Sequence, residues 1–68
     1  MNVKSAEAVV MPFGKYKGAT LGAIADADVL YLDWLAGRDI RGSTLREAVA
    51  AICQDRAAEI KRLVDDAI

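Results

Sequence analysis

The chain has 68 residues, 54% of them hydrophobic, and nine Lys and Arg against ten Asp and Glu give a net charge of −1. That length supports one small domain with no second core, and the near-neutral charge excludes a uniformly basic coat for nucleic acid. The absence of histidine and the single cysteine exclude a Ser-His or Cys-His mechanism, an internal disulfide and a zinc site of the usual kind.

In chain order, residues 1–6 read as a frayed lead-in. Residues 8–13 are apolar enough for a strand, and Pro12 is tolerated near its end at a sheet edge. Residues 7–20 are therefore expected to form a β-hairpin whose tip, Gly14-Lys15-Tyr16-Lys17-Gly18, carries two ammonium groups around a phenol. Thr20 serves as the end of a return strand or as the cap of the helix that follows.

Residues 21–36 are expected to be helical in two pieces. Leu21, Ile24 and Ala25 give one amphipathic turn, weakened by Gly22, and Asp26-Ala27-Asp28 breaks it and supplies a cap for the next piece. Val29, Leu30, Leu32 and Leu35 follow, with Tyr31 and Trp34 sharing a face and Gly37 placed as a left-handed terminator. Residues 43–68 read as one long C-terminal helix, opened by a Thr44-Leu45-Arg46-Glu47 capping box and about 36 Å long if continuous. Its stripe passes through Cys53, read as a structural thiol, and ends in Ile60, Leu63, Val64, Ala67 and Ile68.

These elements predict an α+β fold: a short N-terminal hairpin packed on two or three helices. Phe13, Leu21, Ile24, Leu32, Trp34, Leu35, Val49 and Ile52 are expected to share one core. So small a core cannot cover the far end of the last helix. That end is expected to pair with a second copy as a homodimer, or else to fold back or fray.

Charge is unevenly spread. Residues 1–20 and 37–46 each carry a net +2, around an acidic stretch of −3 made by Asp26, Asp28 and Asp33. A fold that brings the two basic stretches together makes a patch of Lys15, Lys17, Arg38, Arg41 and Arg46, with Tyr16 among them. Ammonium groups beside an aromatic suit a phosphate chain and its bases; the bland alternative is a hairpin with solvated lysines and Tyr16 on the core. Trp34 divides in the same way between a stacking platform and an ordinary core residue. Asp28 and Asp33, five apart, diverge on a helix and no Glu or His completes a set, so the aspartates read as solvated caps and neither metal, cofactor nor catalysis is expected.

Met11-Pro12-Phe13-Gly14-Lys15-Tyr16-Lys17-Gly18, followed by Leu21, Ile24 and Tyr31-Leu32-x-Trp34-Leu35, resembles a group of small bacterial and phage-borne domains. One branch is the quorum-sensing-regulated virulence factor family; a similar module follows the catalytic domain of exonucleases of the exonuclease X type. The resemblance covers residues 9–36, and its relatives often carry a proline or an acidic pair where this chain has Ala25-Asp26-Ala27-Asp28-Val29. It implies an accessory role on DNA or RNA. The sequence is accordingly read as a cytoplasmic, non-catalytic nucleic-acid-binding module with no membrane segment. The alternative is an adaptor or phage-type inhibitor that grips a host protein through the last helix.

Overall fold

Asn2 opens the regular structure by accepting a hydrogen bond from the Ser5 amide at 2.8 Å through its side-chain carbonyl. The helix it caps, α1, runs Val3–Glu7 and buries Ala6, so the chain's start is anchored, not frayed. The computed structural model describes residues 1–38 and 40–66. Three further helices follow: α2 (Leu21–Ala36), α3 (Ser43–Asp55) and α4 (Ala57–Asp66). α2 and α3 pack on each other, and α1 lies across both. Gly22 makes this approach possible, because a Cβ there would stand 3.0 Å from the Glu7 Cβ.

The expected α+β hairpin is absent: the described residues form no sheet, and one isolated antiparallel bridge joins Val10 to Thr20. Helices on both sides leave no room for strands. α1 takes residues up to Glu7, and Thr20 already caps α2 by accepting from the Ala23 amide at 3.2 Å. What remains is a loop closed at its base.

α2 continues through the expected break with a kink at Asp28, whose φ of −157° and ψ of 70° leave the helical region. The Asp28 carboxylate then accepts from the Tyr31 amide at 3.3 Å, recapping the second half from inside the helix. Gly37 is not left-handed; its φ is −84°, and its N–H donates to the Trp34 carbonyl in a tightened last turn. The capping box is not formed either. Gly42 is the cap residue and Thr44 already lies inside α3, so Glu47 sits two positions too deep for a capping box.

The long C-terminal helix is likewise two helices. Arg56, at φ −106° and ψ 22°, separates α3 from α4, which brings α4 back against α2. Ile60, expected beyond the reach of the core, is consequently only 8% exposed. Leu21, Ile24, Leu32, Leu35, Val49 and Ile52 are buried as the periodicity predicts. Phe13 and Trp34, expected in the same core, are 46% and 55% exposed. Met11 takes the loop's core position in place of Phe13, fully buried. In α2 the inward stripe is Val29, Leu32 and Leu35, which turns Tyr31 and Trp34 onto a neighbouring, outer face.

Candidate nucleic-acid interface

Backbone pairing holds the loop at residues 12–18 in shape. The Met11 amide donates to the Ala19 carbonyl at 2.8 Å, and the Met11 carbonyl accepts from the Gly18 amide at 2.9 Å. Gly14 and Gly18 turn the chain at φ +81° and +92°, where other L-residues are strained. At Gly14 there is a second demand: a Cβ would lie 2.8 Å from the Tyr31 hydroxyl.

Asp28 ties this loop to α2. One carboxylate oxygen caps Tyr31 and the other accepts from the Tyr16 hydroxyl at 2.8 Å. Tyr16 and Tyr31 meet edge to face at 4.9 Å between ring centres, and Trp34 continues the row 5.7 Å from Tyr31. A cation stands at each end. Lys15 Nζ lies 5.1 Å from the Tyr16 ring centre and 5.6 Å from that of Tyr31, and the Arg38 guanidinium lies 5.0 Å from the Trp34 ring. The Lys15 side chain is 64% exposed and only loosely paired with Asp28, at 3.8 Å, so its charge faces solvent.

Beside the row opens a cleft of about 300 Å³. The buried Leu35 and Ile40 form its base, Phe13, Tyr31 and Trp34 its walls, and Arg38 its charged rim. Of the expected patch, Lys15, Tyr16 and Arg38 are strung along the aromatic row, and of these Arg38 lines the cleft. Lys17, Arg41 and Arg46 are exposed and, like Lys15 and Tyr16, do not line it. Of the expected self-association residues, Ile60 is in the core, Leu63 and Val64 are exposed, and Ala67 and Ile68 lie outside the described residues.

The Asp28 hydrogen bond is the main reason that the Tyr16 phenol ionises above its ordinary value of 10.0, with desolvation and the Asp28 charge acting in the same direction. A raised folded value means that this contribution to stability is present below the unfolded phenol value and lost as pH rises through the folded one. In an ultraviolet phenolate titration, Asp28→Asn should move the Tyr16 step down toward the ordinary range. An unmoved step would show that Asp28 does not hold the loop in solution.

Sequence reasoning misses Phe13 as an exposed wall and misses Arg56 altogether. The Arg56 guanidinium donates to Asp26 at 2.9 Å and stands 3.7 Å from both Glu7 and Glu59, linking α1, α2 and α4. The Asp26 hydrogen bond keeps it charged beyond even arginine's usual range. Cys53 is half-buried, and desolvation pushes its thiol up from 9.0, away from the reactive thiolate. No group of three or more potential metal-ligating Cys, His, Asp or Glu side chains occurs among the described residues. Nor is any helix among them long and apolar enough to cross a membrane.

Residues 11–38 match the family model described as exodeoxyribonuclease X-like C-terminal. The matched stretch is under half of the chain. It begins at Met11, which anchors the loop, and ends at Arg38, which closes the aromatic row, so it coincides with the unit described above. This finding supports the exonuclease X-type resemblance and concerns that branch alone. No curated protein and no solved structure matches the chain.

Proposed function

We propose that this chain is a non-catalytic accessory module that binds nucleic acid, DNA in the first instance, and serves a nuclease. The observation that carries this reading is the aromatic row with a solvent-facing cation at each end, inside the stretch that matches the nuclease-associated family. Aromatic faces bind bases and the flanking ammonium and guanidinium groups bind phosphates, so the two halves of a nucleotide each find a partner. The competing use, an apolar grip by the last helix on a host protein, loses Ile60 to the core and keeps only Leu63 and Val64 among the described residues.

The test is the salt dependence of binding to a short labelled DNA. Lys15→Ala/Lys17→Ala should weaken binding and flatten the log–log salt slope by up to about two units, one for each phosphate that is no longer neutralised. Stability should change by less than about 1 kcal/mol, because both side chains are exposed and the pair to Asp28 is long. Unchanged affinity and slope would reject the loop as the site.

A further inference from the structure

We infer that the cleft between Phe13 and Trp34 takes unstacked bases of single-stranded DNA. This rests on the nucleic-acid reading and specifies its ligand.

The walls decide the strandedness. Phe13 and Trp34 expose about half their surface to water, yet they flank an apolar base formed by the buried Leu35 and Ile40. In a duplex the base faces are already covered by their neighbours and only edges and phosphates are accessible. An aromatic cleft gains nothing from a duplex and gains a stacking interaction from each unstacked base. The volume of about 300 Å³ lies at the lower end of small-ligand sites, which suits one or two planar rings and not a folded partner surface.

The charges then fix where the strand's backbone runs. Lys15, over the Tyr16 and Tyr31 rings, and Arg38, over the Trp34 ring, place one cation on either side of the aromatic row. A strand laid along the row meets a positive group before and after the bases it inserts. Asp28, which pairs with the loop, is engaged by the Tyr16 hydroxyl and the Tyr31 amide and is drawn off the cleft side. Among the described residues the polar side-chain groups at the cleft are the Tyr31 hydroxyl and the Arg38 guanidinium on its rim, so the cleft offers donors and no carboxylate that would repel a phosphate.

Trp34 is the chain's single tryptophan and reports directly on the site. The 68-residue chain is titrated with a twelve-nucleotide thymidine strand and, separately, with a blunt duplex of equal length. Tryptophan emission and the anisotropy of a labelled strand are both followed. The single strand should quench Trp34 to saturation and bind at least roughly tenfold more tightly than the duplex. Phe13→Ala and Trp34→Ala should each cost the single strand about tenfold in affinity and the duplex markedly less, and Phe13→Ala, which carries no partner cation, should leave the salt slope as it was; Trp34→Phe should restore most of the Trp34→Ala loss. Both residues are exposed, so circular dichroism should show these variants folded. Equal affinity for the two forms, with both alanine variants neutral, would overturn the cleft assignment and leave a surface that binds phosphates only. Absence of binding to either form by the wild type at low salt would overturn the nucleic-acid reading itself.

Discussion

Ile60→Asp should unfold this protein, and Val64→Asp, one turn further along α4, should not. Ile60 is 8% exposed and belongs to the same core cluster as Leu21, Leu32 and Ile52, whereas Val64 faces water. The substitution removes a buried aliphatic side chain, a loss of about 2–5 kcal/mol by itself, and puts a carboxylate into an apolar cluster in its place. A 68-residue domain holds roughly 3–10 kcal/mol in all, so the loss matches most or all of its stability. Urea denaturation followed by circular dichroism should show Ile60→Asp unfolded or nearly so without denaturant, and Val64→Asp within about 0.5 kcal/mol of the wild type. An Ile60→Asp protein as stable as the wild type would mean that α4 does not fold back on α2. Sedimentation of Val64→Asp beside the wild type then asks whether Leu63 and Val64 pair with a second copy: a dimeric wild type and a monomeric variant would support the homodimer.

Helical periodicity is readable wherever one stripe faces one core. Leu21, Ile24, Leu32, Leu35, Val49 and Ile52 are buried for the reason their spacing gives. Capping is legible only where the side chain has no rival. Thr20 and Asp28 cap as their chemistry allows, but Gly42 displaces Thr44, since a start two residues earlier places Leu45 against the core. The hairpin expectation fails because Val9, Val10 and Met11 satisfy strand periodicity over a length too short to fix it, while α1 and α2 consume the residues a second strand would need. Asn2 is the signal for α1, an N-cap residue followed three positions later by the amide it accepts from.

The site is half legible. Its loop can be picked out because the glycines around Lys15, Tyr16 and Lys17 allow positive φ, and both adopt it. The cleft cannot be read off, because it depends on which side of α2 the core lies. Tyr31, Trp34 and Arg38 fall on one face at spacings of three and four, but nothing local says that this face is outward. Arg56 is beyond sequence reasoning for a similar reason. A charged residue within a helical pattern reads as solvated, and its carboxylate partner Asp26 is thirty positions away.

Met11→Ala should cost nearly as much as Ile60→Asp and should do so at the candidate site. Met11 is the loop's fully buried side chain, and its amide and carbonyl both pair across the loop's base, to Ala19 and from Gly18. Truncation leaves a void in the core cluster to which Met11 belongs and typically costs about 2–5 kcal/mol for methionine. Because the backbone pairs are kept, the loss belongs to packing. Met11→Leu, of similar volume, should cost less than about 1.5 kcal/mol. Urea denaturation of the three proteins gives the order wild type, Met11→Leu, Met11→Ala. The same variants separate stability from placement: under conditions where all three are folded, Met11→Leu should retain the Trp34 response to single-stranded DNA, while Met11→Ala, with its loop unseated from Tyr31, should lose much of it. Equal midpoints for Met11→Ala and wild type would show that the loop is not anchored through Met11, and the aromatic row would then lack the support that holds Lys15 at its end.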